Sequence, residues 1–529
     1  MKVLVSDKLS PNGVAVFEKA DGISVDVKTK LTPEELKAII GDYDGLVVRS
    51  ATKVTAEIIE AARNLKVVGR AGSGLDNVDV QAATKRGIVV MNTPGGNTIT
   101  TAEHAVSMML ALSRKIPQAT ASMKSKKWEK SKFMGAEICK KTLGIVGIGL
   151  VGSVVADRAH GLKMNVIAFD PFLSPESADK LGVSLVSMDE LLKCADYITV
   201  HAPKTSDTIN LINSELFSKM KDGVFLINCA RGGIVNEKDL YDALQSGKVA
   251  GAALDVFEKE PPDADNPLLD CEEVICTPHL GASTEEAQEK VAVAVAEQMV
   301  DYLQNGTVMN AANVPSVASD VLQTLKPYLN LAERLGSFQG QIVSGGLQEV
   351  SIEYSGEVAE MNVEPITVSL LKGLLHPILQ EDVNYVNAPV VAKDRGIKII
   401  ASTTSASEDF ISLITLRAKT NKEESLIAGT IFGKSDPWIV QIDQFRIEAV
   451  PENYMLLFHT HDRPGVIGNI GTTLAKHSIN ISRMQFGREK VEGKSLLLLS
   501  TDGAIPHEII DQMRKLPHVI SMSAIHIDQ

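Results

Sequence analysis

The 529-residue chain is poor in cysteine, and the few it has are not spaced for pairing. Cys139, Cys194, Cys229, Cys271 and Cys276 form an odd set without a C-x-x-C pair. That excludes a disulfide framework or a zinc site and points to free thiols in a reducing compartment. No run of 18 apolar residues occurs, so no segment reads as a membrane-spanning helix. The opening MKVLVSDKLS has only a short apolar run before Asp7 and reads as a first strand, not a signal peptide. Excess positive charge is also missing. The chain carries 53 Lys and Arg against 66 Asp and Glu, a formal charge of −13. A general role on nucleic acid or membrane surfaces is therefore excluded, and individual basic residues become local devices. Long repeats and low-complexity segments are absent as well. What remains is a soluble, cytoplasmic protein, long enough for three to four domains.

From residue 1 to about 97, short apolar runs (KVLVSD, ISVDVK, GLVVRS, VVGRAG, IVVMNT) alternate with helical patterns. This is the texture of an α/β unit with a parallel sheet. A long amphipathic helix follows in NTITTAEHAVSMMLALSRKI, with Ile99, Ala102, Val106, Met109 and Leu110 predicted on its apolar stripe. Six further strands, at 142–147, 166–170, 197–201, 224–229, 251–257 and 274–279, predict a doubly wound sheet with ligands at the carboxyl ends of its strands. The texture changes near Val314-Pro315. Residues 316–450 mix helix and strand patterns without a chemical motif, and the stretch after VPEN reads β-α-β-β-α-β, a ferredoxin-like order.

TLGIVGIGLVGSVVADRA sets Gly147, Gly149 and Gly152 in G-x-G-x-x-G spacing between a strand and a helix. Gly147 permits the tight turn, Gly149 lets a pyrophosphate approach the backbone, and Gly152 lets strand and helix pack closely. Phosphates then face the free N–H groups at the helix start. Asp170, ending VIAFD, is placed to accept from ribose hydroxyls and to repel a 2′-phosphate, which favours NAD over NADP.

Three residues sit at or just past strand ends: Arg231 in NCARGG, Asp255 in ALDVFEKEPP and His279 in TPHLGAS. A lone histidine is more often a cap or a core residue. Here, however, Asp255 and Glu260 follow a buried strand into the same crevice. A hydride leaving a carbinol carbon requires a base for the hydroxyl proton, and histidine suits that task near neutral pH. A carboxylate on the other ring nitrogen would set the tautomer and stabilise the imidazolium. Glu260 is the candidate and Glu258 its rival. The Arg231 fork suits a carboxylate held by two hydrogen bonds. Arg49, Ser50, Lys53, Arg70 and Asn97 occupy loop positions in the first unit, a cluster suited to a second anionic group such as a phosphate.

Through GIVGIGLVG with Asp170, NCARGGIV, GAALDVFEKEPP and TPHLGAST, the chain resembles the D-isomer-specific 2-hydroxyacid dehydrogenases. GRAGSGLDNVD and MNTPGGNT narrow the resemblance to the long-form phosphoglycerate dehydrogenase branch. The fold so implied is α/β. It has a discontinuous flavodoxin-like substrate domain (1–97 and 284–314), a Rossmann NAD domain (98–283), an α+β intervening domain (315–450) and a ferredoxin-like ACT domain (452–529). The implied reaction is NAD-dependent oxidation of D-3-phosphoglycerate to 3-phosphohydroxypyruvate, which opens L-serine synthesis. Reduction of other 2-oxo acids, 2-oxoglutarate for one, belongs with it. Arg231, Glu260 and His279 are the implied catalytic set. Implied cofactor contacts are Ser73, the glycine loop with Leu150 and Val151, Asp170, Ala202, Cys229, Ala230, Arg231, Asp255, and His279, Leu280, Gly281 and Ala282. Substrate contacts fall on Arg49, Ser50, Lys53, Arg70 and Asn97, together with Arg231 and His279.

Many relatives carry arginine where this chain has Leu150, which implies looser NAD binding. In the ACT domain, Asp462 and Asn480 are the implied L-serine positions between paired copies of a dimer or tetramer. Thr460 stands where relatives often have His or Tyr. Lys434 and Arg446 are a candidate anion site in the intervening domain. Rival readings are a hydroxypyruvate or glyoxylate reductase and a non-catalytic NAD sensor.

Overall fold

The computed structural model describes every residue except 316–318, 380–382, 407–408, 490–492 and 528–529. The short apolar runs of the first unit become five parallel strands in the order Ser24–Val27, Lys2–Val5, Gly45–Val48, Val67–Arg70 and Val89–Met91. The doubly wound order 2-1-3-4-5 puts a switch point beside the first strand. Helix Glu285–Asn305 closes this unit, because Val291, Val295 and Met299 pack into one core with Val3, Val47 and Val67. The chain therefore returns to its first sheet after leaving it.

The second sheet is also parallel, in the order Val274–Cys276, Val249–Leu254, Val224–Asn228, Tyr197–Val200, Thr142–Val146, Asn165–Phe169 and Ser184–Leu185. All six expected strands are present. The two-residue edge strand Ser184–Leu185 carries too little apolar signal to be read from the sequence. Strand order reverses between Thr142–Val146 and Tyr197–Val200, so the crevice opens where Gly147 and Ala202 emerge.

The crossover helix Thr98–Ser113 packs on this second sheet, with a buried stripe rotated from the predicted one. Ala102, Ala105, Met108, Met109 and Leu112 are buried, whereas Ile99 is 55% exposed. Helix Leu150–Gly161 and the sheet together cover the 102-105-109-112 ridge, while Ile99 lies in the first turn, where the chain is still crossing between units.

The third sheet has six strands in mixed directions, covered by helices Ser319–Ile342 and Glu364–Leu379. The last sheet has the order Ile481–Arg488, Lys494–Thr501, Tyr454–His461 and Val519–His526, the ferredoxin-like 2-3-1-4 arrangement. Its alternation splits two ways. Leu456 and Phe458 pack on the helices of the same unit, and Met455, Leu457, Leu496 and Leu498 join the core of the third sheet.

Candidate active site

The glycine loop is shaped by close contact at two positions and by open space at a third. A Cβ on Gly147 (φ +90°) would lie 2.9 Å from the backbone of His201, and one on Gly152 would lie 2.3 Å from the Gly147 carbonyl oxygen. Neither can be built without moving the turn. A Cβ on Gly149 would meet nothing within 4 Å, so no atom of the chain demands glycine there. An approaching ligand would. Gly149 is also the N-cap of helix Leu150–Gly161 and supplies no side-chain cap, leaving the first amides for a phosphate. Asp170 accepts from the Ile148 amide (2.9 Å) and the Phe172 amide (2.9 Å), which seats its carboxylate against the loop. These features fit a dinucleotide. Leu150 is 64% exposed at the mouth, and Cys229 is buried in the core of the second unit. Ala202, Ala230 and Val151 are half-buried in the second unit, and Ser73 is half-buried in the first.

Past the second sheet, His279 Nδ1 lies 2.7 Å from Glu260 Oε2. Glu258 Oε1 instead accepts from the Glu237 amide at 3.3 Å, so the rival carboxylate is engaged elsewhere. The Glu260 hydrogen bond raises the His279 pKa above its usual value, against burial and the nearby Arg231 charge. Burial pushes the Glu260 carboxyl up, but the His279 hydrogen bond and charge outweigh it and hold the group low. A cavity of about 390 Å³ opens beside the pair, lined by Phe257, Glu260, Pro261, Thr277, Pro278 and His279.

His279 has φ +54°, a left-handed conformation that costs about 1–3 kcal/mol and persists only where neighbours enforce it. The enforcing group is Asp255. Its carbonyl accepts from the His279 amide (2.9 Å), and its carboxylate accepts from the amides of Leu280 (2.7 Å) and Gly281 (2.8 Å). At 1% exposure Asp255 is buried, holds the 279–281 loop and contributes to the lining of the same cavity. Leu280 is 39% exposed beside it, and Ala282 is half-buried.

Arg231 reaches across to the first unit. Its Nε donates to Asp76 Oδ2 at 3.1 Å and its Nη1 to the Ala230 carbonyl at 2.7 Å. Opposite it, Arg70 Nε donates to Asn77 Oδ1 (2.9 Å), and Asn77 Nδ2 donates to the carbonyls of Arg49 (2.7 Å) and Thr52 (2.6 Å). Asp7 accepts from the Arg49 amide at 2.6 Å and from the Thr52 hydroxyl at 2.8 Å. Burial, with the charges of Arg231 and Arg49, lowers the Arg70 pKa, the mark of cations gathered in one place. Ser73 Oγ donates to Asn97 Oδ1 at 2.6 Å, while Ser50 and Lys53 are exposed on the loop after Gly45–Val48.

Sequence reasoning missed Asp7, Asp76, Asn77, His104 and Thr277. Asp76 and Asn77 stand inside the GRAGSGLDNVD motif, and His104 is a polar residue on an otherwise apolar helix stripe. Those were the available signals. Asp7, some 40 residues from its partners, gave none.

The other assigned positions fare differently. Lys434 and Arg446 are not brought together. Arg446 pairs with Gln441 across a hairpin and makes an ion pair with Asp409 at 3.2 Å. Lys434 precedes the far end of that strand, ~20 Å away at the rise of an extended chain. In the last unit, Asp462 makes an ion pair with Arg488 (3.5 Å) and Asn480 donates to Asp502 Oδ2 (2.9 Å). Thr460 is fully buried against Ser495 (2.8 Å) on the helix-facing side of the sheet. Among the described residues, no group of three or more His, Cys, Asp or Glu is arranged for a metal, and no helix is long and apolar enough to cross a membrane.

Comparison with known proteins defines the class first. The family model for the NAD-binding domain of D-isomer specific 2-hydroxyacid dehydrogenases matches residues 106–281, so the crevice belongs to an NAD-dependent dehydrogenase. The D-3-phosphoglycerate dehydrogenase intervening domain matches 324–443, and the ACT domain matches 454–518. D-3-phosphoglycerate dehydrogenase of Archaeoglobus fulgidus is 46% identical over 529 residues, covering 100% of both chains. The Bacillus subtilis protein of that name is 42% identical, covering 99% of each. A solved NAD-dependent formate dehydrogenase from Staphylococcus aureus, in complex with NAD, is 30% identical with a TM-score of 0.54, over 60% of this chain and 100% of that one. The chain belongs to the D-3-phosphoglycerate dehydrogenase family.

Proposed function

We propose that this chain oxidises D-3-phosphoglycerate at C2 to 3-phosphohydroxypyruvate and so opens L-serine synthesis. The single observation carrying the reading is the His279–Glu260 pair at 2.7 Å, set in one crevice with Arg231 and facing a wall that holds Arg49 and Arg70. His279 Nε2 takes the C2 hydroxyl proton in oxidation and returns it in reduction. Glu260, on Nδ1, keeps the ring in the tautomer that leaves Nε2 free as the base and stabilises the imidazolium that forms. The glycine loop and Asp170 would hold NAD, which would supply the hydride acceptor. Asp76 and Ala230 orient Arg231, and its terminal nitrogens retain N–H groups for the substrate carboxylate. Arg49 and Arg70, with Ser50, Lys53 and Asn97, take the phosphate end. Closure of the two units would exclude water during hydride transfer.

The segments 1–97 and 284–314 then act as the substrate domain, 98–283 as the NAD domain, 315–450 as the intervening domain and 452–529 as the regulatory ACT domain. A homo-oligomer would follow from the serine site, since Asp462 and Asn480 would hold the amino acid between two copies, and the unpaired cysteines fit a cytoplasmic location. Steady-state assays decide. The phosphate end predicts a kcat/KM for D-3-phosphoglycerate far above that for unphosphorylated D-glycerate, and equal values would refute it. NADH binding without turnover of any 2-hydroxy acid would establish a sensor instead. Repeating the assay with L-serine tests the regulatory site.

A further inference from the structure

The crossover helix does more than join two units. From its first three turns, Thr101 and His104 project together, three residues apart and therefore on one face. Thr101 Oγ1 donates to the Gly281 carbonyl at 3.1 Å, at a buried position. His104 Nε2 lies 3.1 Å from Thr277 Oγ1 and 3.2 Å from Asp255 Oδ1. Thr277 Oγ1 in turn donates to Asp255 Oδ1 at 2.6 Å. Because that hydroxyl proton is committed to the carboxylate, Nε2 carries the hydrogen and donates to the hydroxyl and carboxylate oxygens.

We infer that His104 is a positioning residue for hydride transfer: it holds the buried Asp255 carboxylate in the orientation that sets the His279 loop. The inference rests on the roles proposed above for His279 and its loop. Asp255 holds three successive residues, His279, Leu280 and Gly281, at distances between 2.7 and 2.9 Å. The backbone carbonyl holds His279, and the nearly buried carboxylate, which holds the other two, must keep its orientation. His104 and Thr277 are its side-chain donors. Without the imidazole, the carboxylate keeps Thr277 and the Leu280 and Gly281 amides but loses one of its two side-chain donors, and its orientation is less tightly fixed. The Leu280 and Gly281 amides, which the carboxylate holds next to the left-handed backbone of His279, then lose their fixed anchor. The His279 ring drifts from the reacting hydroxyl, and displacements of about 1 Å at such a centre cost up to ~10²-fold in rate.

Thr101 grips the same loop from its carbonyl side, so a single helix fixes both edges of it. That helix begins at Asn97, whose side chain accepts from Ser73 in the substrate unit. The imidazole of His104 touches neither the Glu260–His279 pair nor Arg231 in any recorded hydrogen bond. Its effect on chemistry is thus indirect, through Asp255.

The test measures kcat, KM and the primary deuterium isotope effect with 2-deuterated hydroxy acid, for the full-length chain and three variants. His104→Phe keeps the ring volume but removes the donor, and Thr277→Val removes the bridge. His104→Gln restores an N–H. The expected result for His104→Phe and for Thr277→Val is a kcat roughly ten- to a hundredfold lower, with KM for the hydroxy acid within threefold. The isotope effect on kcat should rise, because hydride transfer becomes limiting. His104→Gln should recover most of the loss.

A change of kcat below twofold in both donor-removing variants overturns the inference. So does a lower kcat with an unchanged isotope effect, since that reports fewer folded sites and not slower chemistry. Thr277→Val, distant in sequence from the crossover helix, supplies the answer if His104→Phe does not fold. Turnover by the parent chain tests the functional proposal separately, because only the ratio of variant to parent bears on His104.

Discussion

The two walls of the crevice are built differently. On the nucleotide wall, several shaping contacts link residues close in sequence, although Gly147 also packs on the His201 backbone. Gly152 meets the Gly147 carbonyl, and Asp170 meets the Ile148 amide 22 residues earlier. On the opposite wall, Asp7 and Asn77 hold Arg49 from 42 and 28 residues away, while Arg70 meets Asn77 only seven residues on. A glycine turn fails if its own few residues change. A guanidinium cluster fails if any of several distant anchors is lost. The first wall is mostly a local geometry, and the second depends more on assembly.

Substitutions can break this contrast or sharpen it. The largest effect should come where the walls meet the chemistry. His279→Ala should lower kcat by about 10²–10⁴-fold while NADH affinity stays within a few fold. A loss of NADH binding equal to the loss of rate would show that His279 belongs to the nucleotide wall. Next, Arg231→Ala should raise KM for the hydroxy acid and lower kcat together, since a two-pronged clamp acts in ground and transition states alike. Unaltered constants would remove Arg231 from its assigned place.

Asn77→Ala tests the long-range wall itself. It should raise KM for D-3-phosphoglycerate roughly tenfold, the value of one or two hydrogen bonds to charged loops, and leave KM for NAD unchanged. Equal rises in both would mean that the walls are not separable.

Glu260→Gln carries a signed pH prediction. The carboxylate raises the His279 pKa, so an amide in its place should lower it. Oxidation needs the neutral ring, so the acid limb of kcat/KM should move to lower pH in the variant. Movement to higher pH would contradict the pairing. The smallest effect belongs to the glycine loop. Leu150→Arg adds one exposed cation near the pyrophosphate position, worth about 0.2–1 kcal/mol, so NADH should bind at most about fivefold more tightly.

Legibility in the sequence follows the same division. The strands of both parallel sheets could be read because apolar runs bounded by glycine turns need no distant partner to be recognised. The His279–Glu260 pair was legible as well, although only the folded chain separates Glu260 from Glu258, which is taken up by the Glu237 amide. Ile99 was misplaced because helical periodicity marks a stripe without stating what will cover it. Lys434 and Arg446 were misplaced because nearness in sequence is not nearness in a hairpin.

The sequence by itself determined the turn at Gly147, the carboxylate of Asp170 at the end of its strand and the ring-and-acid pair, since each depends on steric or chemical requirements of the residues themselves. Tertiary structure alone decided that Asp255 would be a buried scaffold, that His104 would reach it from the crossover helix, and that the arginines would converge. Those outcomes depend on the relative placement of whole sheets, which burial of apolar faces fixes and no short motif encodes.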